Sequence, residues 1–498
     1  MKTTSISNSA VEASDFRGGE RQQADPASTA DSRLLAKLRK AVWVPAALML
    51  ALLSGCLEEH LVWSPDGKRA AVIEKDGLHL CDPAGKLTPL LVPGANHAAW
   101  LSDSQRLAVA CTRNVGDWAT ISQVLGRDRA AAVAAEAKGI WDKLAAGGRW
   151  GALTSGFGEN NHQSLVKLLL RERHADALRG KLSAADWEGL KAEHVELANL
   201  LIARIDGDRV IPGPVLHEGL EKISDIRVSP GDRAIAFTTD LAQDNDDESR
   251  LFVARVDAPG VTTVAERTAA YPAWTSDARS LVYVQAAEGG KKDVRLATLV
   301  RREVFDARGM IALQEKPDDM AGMIFSNLIR VRCLKDGRIL FNAVEFNLPM
   351  STKDIDAERE KLFVVDSARQ STLVRLIPRG EEENMPKNLT FFEPSPDEQR
   401  VLVGGFDGEV SILTIATGEV QKLQKAGEYN LMAAPAWRNN EEISYARRNP
   451  TENGKPPARK AEIILEKPSP AKGDHEIVLS QEWSVDTLES VFSEADKK

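Results

Sequence analysis

Short apolar runs separated by tight turns dominate this chain. Leu61-Val-Trp63 leads into Ser64-Pro-Asp-Gly67, and Ala70-Ala-Val72 follows. Apolar run, turn, apolar run predicts two strands joined by a hairpin, because Asp-Gly accepts the positive φ angles that tight hairpins demand. The block recurs at Ala98–Val109, Ile226–Phe237 and Pro272–Tyr283, and in weaker form at Val331–Phe341, Phe392–Val403 and Pro435–Ala446. A second strand pair often follows, as in 77–82 with 86–92, 251–257 with 260–266, 362–366 with 371–377, and 410–415 with 419–423. Four short strands per unit, repeated along the chain, predict an all-β radial array in which each sheet buries its faces against its neighbours.

The spacing breaks once. Trp63 to Trp100 is 37 residues, whereas Trp100 to Val228 is 128. Across the excess the period lengthens to that of a helix. Val133, Ala137, Ile140 and Leu144 share one face of Arg129–Leu144, and Leu165, Leu168, Leu169 and Leu178 share one face of Ser164–Leu178. Ser183, with Asp186 three residues on, predicts a capped helix from Ala184. A helical module over 116–196, between the inner and outer strand pairs of the second unit, is the expectation. It is either a binding insertion or an embellishment of the scaffold.

The blocks resemble the repeats of TolB-like (WD-type) β-propellers, whose consensus centres on Trp-Ser-Pro-Asp-Gly-Lys before a short apolar strand. Trp63–Lys68 carries it in full. The resemblance implies a seven-bladed β-propeller of four-stranded antiparallel sheets, or a six-bladed one, with an α-helical insertion in blade two. The expected domains are an N-terminal extension and signal over 1–55, the propeller over 56–480 with the insertion at 116–196, and a tail over 481–498. Trp63, Trp100, Trp274 and Trp437 share one repeat position and are expected to pack between blades. Asp66, Asp103, Asp277 and Asp397 are expected to form turns.

Before the first repeat, Arg33, Lys37, Arg39 and Lys40 precede an apolar run, Ala41–Leu53, and then Ser54-Gly55-Cys56. Basic region, short apolar core and small residues form a secretory signal layout. With cysteine directly after Leu-Ser-Gly, the segment resembles a bacterial lipoprotein signal, which implies lipid on Cys56 and a membrane anchor. An uncleaved anchor or a chance apolar run is the alternative, although Pro45 interrupts a run shorter than the ~20 residues a spanning helix needs. Only Leu57-Glu-Glu-His60 separates Cys56 from the first strand, a reach of at most ~14 Å. The ring is therefore expected close to the membrane, facing the periplasm or cell surface.

Composition narrows the chemistry. The net charge is −9, and this acidity argues against a nucleic-acid partner. Cys81, Cys111 and Cys333 lie in apolar runs with no Cys-x-x-Cys pair, so inert buried thiols are expected, although an exported protein also permits one disulfide. No Gly-x-Ser-x-Gly, P-loop or His-Glu-x-x-His motif occurs. His162, His174 and His194 lack a metal spacing, and His217-Glu218 and His475-Glu476 stand apart. Asp244–Glu248 is acidic but lacks the ligand pattern of a calcium loop. No cofactor or metal is expected.

The expectation is thus a non-catalytic, membrane-anchored scaffold for a protein or cell-envelope partner. A hydrolase or lyase with its site at the central channel is the alternative, and carbohydrate binding by exposed aromatics is a third. Two or more carboxylates or histidines converging at the channel would favour catalysis.

Overall fold

The computed structural model describes residues 59–154, 161–240, 248–287, 295–344, 360–366, 373–375, 385–386, 389–405, 408–425, 430–431, 433–448, 460–468 and 475–484. Its strands form antiparallel meanders in chain order. The first is β1 (Leu61–Trp63), β2 (Ala70–Glu74), β3 (Gly77–Cys81) and β4 (Val92–Pro93). The second is β5 (Ala95–Trp100), β6 (Arg106–Val115), β7 (Val195–Asp206) and β8 (Arg209–Gly219). The third is β9 (Ile223–Val228), β10 (Ala234–Asp240), β11 (Ser249–Arg255) and β12 (Val261–Thr268). The fourth is β13 (Ala273–Trp274), β14 (Ser280–Ala286), β15 (Leu296–Glu303) and β16 (Asp318–Ile324). One pair, Thr268 with Gln285, joins the third meander to the fourth.

The fifth is β17 (Val331–Cys333), β18 (Arg338–Val344), β19 (Glu360–Asp366) and β20 (Leu373–Arg375). The sixth is β21 (Leu389–Pro394), β22 (Arg400–Gly405), β23 (Val410–Thr414) and β24 (Val420–Gln424). In the last, β25 (Asn430–Leu431) and β26 (Ala436–Trp437) both pair with β27 (Ile443–Arg448), and β28 (Lys460–Pro468) and β29 (His475–Ser484) follow. Sheet closure of this kind is a β-propeller, and the meanders are its blades.

The tryptophans hold the blades together through their indole N–H groups. Trp100 donates to Val62 O (2.8 Å), Trp274 to Arg227 O (2.9 Å) and Trp437 to Glu393 O (2.9 Å), each reaching the first strand of the preceding blade. Trp63 donates to Ser444 Oγ at 2.8 Å, so the first blade is tied to the last. Leu61, Ala70 and Val72 pack in one cluster with Ala433 and Ala446, which closes the ring at the same seam. The geometry explains the spacing: each tryptophan ends its first strand, with Trp63 opposite Ala70, Trp100 opposite Leu107 and Trp274 opposite Leu281.

The turns form a second belt. The Asp66, Asp103, Asp277 and Asp397 carboxylates accept backbone N–H bonds from residues two places on. The next residue adopts positive φ: Gly67, Ser104, Ala278 and Glu398. Where that residue has a polar side chain, it serves the neighbouring blade. Ser104 Oγ accepts from Asp66 N, and Glu398 Oε2 from Lys335 N. In the third blade Asp232, also at positive φ, accepts from Ser102 N and Ser102 Oγ. At Ser104, Asp232 and Glu398 the strained conformation is thus matched by an inter-blade bond.

Between β6 and β7 lie the helices α1 (Trp118–Val124), α2 (Arg127–Ala145), α3 (Trp150–Thr154), α4 (Asn161–Lys181) and α5 (Ala184–Ala192). Asp117 caps α1 through Thr120 N, and Ser183 caps α5 through Asp186 N. The module has its own core: Val133, Ala137, Ile140 and Leu144 meet Leu165, Leu168, Leu169 and Leu178, all buried. Arg171 closes its neck by donating to Leu190 O and Lys191 O at 2.9 and 2.7 Å, and to Gly116 O across the base.

Two boundaries differ from the sequence pattern. The predicted strand 86–92 shrinks to β4 and a single bridge at Leu87, because Asp82 Oδ1 gathers Ala84 N and Lys86 N into a turn and Pro89 has no N–H to offer. At the other end β29 runs to Ser484, past the expected boundary at 480, because Lys460 pairs with Ser484; the mixed polar sequence there hides a strand that pairing selects.

Trp274→Phe should keep the stacking on the Phe305 ring but remove the indole donor to Arg227 O, lowering stability by about 1 kcal/mol, whereas Trp274→Ala should cost about 3–5 kcal/mol through the cavity. Ala278→Gly should instead raise stability by roughly 0.5–1 kcal/mol, since only glycine adopts this φ without strain. Urea unfolding of the three variants checks the order.

Candidate functional site in the channel

The first strands adjoin one another around the ring, from β1 to β5, β5 to β9, β9 to β13 and β13 to β17, and β26 adjoins β1. They therefore line its axis. The repeat position directly before the tryptophan faces a shared environment. It is Val62, Ala99, Ala273 or Ala436 in four blades and Arg227, Arg332 or Glu393 in the other three. Arg227 and Arg332, with Arg330 just before β17, converge on one carboxylate, Glu59, while Asp225 on β9 and Glu393 pair with Arg227 and Arg332.

Glu59 Oε1 accepts from Arg227 Nη2 (2.9 Å), Arg330 Nη1 (2.9 Å) and Arg332 Nη2 (3.2 Å). Each guanidinium is also held by the propeller. Arg227 Nε donates to Asp225 at 2.8 Å and Arg332 Nε to Glu393 at 2.6 Å. Arg330 lies over the Tyr271 ring at 3.9 Å and the Phe391 ring at 5.0 Å, a cation–π pocket, and its backbone N–H donates to Asn342 Oδ1 at 2.7 Å. Arg330 is 1% exposed, whereas the Glu59 side chain is 26% exposed.

Burial works against the Glu59 charge, but Arg227, Arg332 and Arg330 outweigh it and hold the carboxyl well below the usual carboxylate range. Asp225 goes the other way: burial raises it, Arg227 opposes and the nearby Glu59 charge adds to the rise. Glu59 belongs to the short stretch that the sequence pattern assigns to a tether. The structure instead carries its carboxylate from the edge of blade one to arginines of blades three and five. Pairwise motif searching misses this site because Glu59 and its arginines are 168 to 273 residues apart. The available signal is a charge at a repeat position that is otherwise apolar.

The other expected positions do not assemble. Cys56 lies outside the described residues. Cys81, Cys111 and Cys333 are free thiols, and burial pushes Cys81 and Cys333 up to about 12. His162 meets Glu136 at 2.7 Å, His174 stacks on Trp141, and His194 contacts Ala192 O. His217 stacks near Phe237 and Phe252, and its pKa is lowered by burial. Of 244–248 only Glu248 is described, and it pairs with Arg267 at 2.7 Å and with Arg295; the side chains of His475 and Glu476 lie outside the described set. Among the described residues Glu74, Asp76 and His79 bring three metal-competent groups within 4.8 Å. His79 there spends its ring nitrogens on Asp76 and Thr88 O, both at 3.0 Å.

No family model matches the chain, and no curated protein is similar to it. Solved structures similar to it include a putative TolB from Agrobacterium tumefaciens, 11% identical with TM-score 0.36 over 55% of this chain and 90% of that one. Hydrazine synthase of Kuenenia stuttgartiensis is 11% identical, with TM-score 0.38 over 73% and 78%. An oligogalacturonate lyase in complex with manganese is 13% identical, with TM-score 0.38 over 71% and 75%. The class of this chain, a β-propeller with a charged channel, rests on its strand order, register and ring closure.

Glu59→Gln should lower stability by about 2–3 kcal/mol at neutral pH, since it removes the anion that three arginines share. Because the folded pKa lies below the unfolded one, this contribution is present above the ordinary carboxylate value and lost as pH falls below it. Urea midpoints of wild type and variant should therefore converge under acid conditions; a gap independent of pH would contradict the ion-pair origin.

Proposed function

We propose that this chain is a lipid-anchored, non-catalytic β-propeller that serves as an interaction scaffold for a protein or cell-envelope partner. The observation that carries this reading is the pairing state of the channel. Carboxylates converge there, but Glu59, Asp225 and Glu393 are all bound to guanidiniums. General acid–base chemistry needs a group that exchanges protons near the working pH. The arginines hold the Glu59 carboxyl well below the usual carboxylate range, Asp225, whose pKa burial raises, is occupied by Arg227 Nε at 2.8 Å, and arginine itself does not titrate. The arrangement suits recognition of charge rather than hydrolysis or elimination.

The support for the anchor is the lipoprotein-like stretch Leu53-Ser54-Gly55-Cys56. With lipid on Cys56, the three-residue step to Glu59 limits their separation to ~11 Å. The channel entrance that takes Glu59 would then face the lipid surface, and the opposite entrance and the outer rim would stay open to a partner on the periplasmic or cell-surface side. Cys56→Ala in the native host should move the protein from the membrane fraction to the soluble fraction, and crosslinking in intact cells should then lose its envelope partner. Undiminished membrane association of that variant would remove the lipid anchor from the proposal.

A further inference from the structure

Away from the channel, a second place in the ring gathers guanidiniums. A pocket of about 530 Å³ draws its lining from blades two, three and four. Arg106 on β6, Arg233 before β10, Arg255 on β11 and Arg308 after β15 face it, against two carboxylates, Asp232 and Asp257. Val256 and Phe305, both buried, supply its apolar part. Phe305 stacks on Trp274, the residue that ties blade four to blade three, so this floor is fixed by the ring itself.

The carboxylates nearby are already occupied. Asp257 accepts from Arg255 as a fork, from Nε at 2.8 Å and Nη2 at 2.7 Å. Asp232 accepts from Ser102 N and Ser102 Oγ at 2.9 and 2.6 Å and lies 3.7 Å from Arg106 Nη2. Arg106 has Asp103 at 2.5 Å from its Nε. Asp306, between two lining residues, accepts from Arg308 N and Met310 N at 2.8 and 2.9 Å and so fixes its own loop. Arg233 and Arg308 remain. Both are exposed, and among the described residues neither guanidinium enters an ion pair or a hydrogen bond. They come from two blades but lie close: a Cβ on Gly309 would stand 3.9 Å from Arg233 Nη1.

We propose that this pocket binds a small phosphomonoester, its phosphoryl group taken by Arg233 and Arg308 and its organic body laid on Val256 and Phe305. The chain has a net charge of −9, so a large acidic partner meets repulsion over most of its contact. A small ion feels chiefly the charges within a Debye length, about 8 Å at physiological salt, and here those include two guanidiniums without an anion. The volume falls in the roughly 300–1,000 Å³ range of small-ligand sites. One carboxylate suits one guanidinium fork, as Asp257 suits Arg255. A phosphomonoester brings three acceptor oxygens and close to two charges at neutral pH, which answers two guanidiniums from separate loops. The proposal goes beyond the scaffold reading and stands with or without lipid on Cys56.

The test is calorimetric titration of the full-length chain, in non-ionic detergent micelles, with phenyl phosphate as the probe. Wild type should show saturable binding, and Arg233→Gln and Arg308→Gln should each weaken it about tenfold, the loss of a charge-assisted hydrogen bond. Both side chains are exposed and unbonded, so both variants keep the fold. Arg113→Gln, which breaks a surface pair with Glu218, should leave binding unchanged. Benzoate has the same ring with one carboxylate and should bind at least tenfold more weakly than phenyl phosphate. No saturable binding of phenyl phosphate, or binding that neither arginine variant weakens, overturns the site. Phthalate binding as tightly as phenyl phosphate assigns the pocket to dicarboxylates and overturns the phosphoryl group. Inorganic phosphate binding as tightly overturns the part given to Val256 and Phe305. A hexaglutamate peptide binding more tightly than phenyl phosphate assigns the pocket to an acidic polypeptide and overturns the small ligand.

Discussion

The indole N–H of one blade bound to the first-strand carbonyl of the blade before is the constraint on which this molecule depends. A lone four-stranded meander exposes two apolar faces, and radial stacking is what buries them. Stacking alone would let neighbouring sheets slide. The bonds from Trp100, Trp274 and Trp437 fix the offset, and that from Trp63 to Ser444 makes the fixing circular. For Trp100, Trp274 and Trp437 the acceptor is a backbone atom of a residue on the strand that lines the channel. The same contact therefore sets both the packing of the ring and the position of its inner charges.

From that frame the electrostatics follow. Arg227 and Glu393 belong to the residues whose carbonyls are so held, and their side chains extend to the axis from a rigid backbone. Burying three guanidiniums is costly unless each is paired and its donors are used. The channel meets this with Asp225 and Glu393, with aromatic faces at Arg330, and with Glu59, a carboxylate from before the first strand. The helical module obeys a separate logic. Its apolar faces meet one another, its neck is closed by Arg171, and it leaves the ring spacing between β5 and β9 undisturbed.

Much of the architecture is legible in the sequence because its causes are local. Hairpin turns need Asp and a residue tolerant of positive φ, strands need alternation, and a helix cap needs Ser183 with a donor two or three places on. Repetition multiplies these weak signals into a fold. The channel site is legible only in part. Arg227, Arg332 and Glu393 stand out as charges at an otherwise apolar repeat position, but Glu59 lies outside the repeats and resembles any polar linker residue. The inter-blade roles of Ser104, Asp232 and Glu398 are hidden for a similar reason: their partners lie in a neighbouring blade, at a distance that only the closed ring defines.

The chain by itself determined a repeated four-strand unit, the tryptophan and aspartate positions that join and turn it, and the place of the helical module, since each depends on residues close in sequence. Tertiary structure alone decided that the first blade meets the last, that β29 extends to Ser484, and that carboxylates and guanidiniums from four separate stretches share one site. Those outcomes depend on which strands become neighbours, and a neighbour hundreds of residues away leaves no periodic trace in the sequence it will touch.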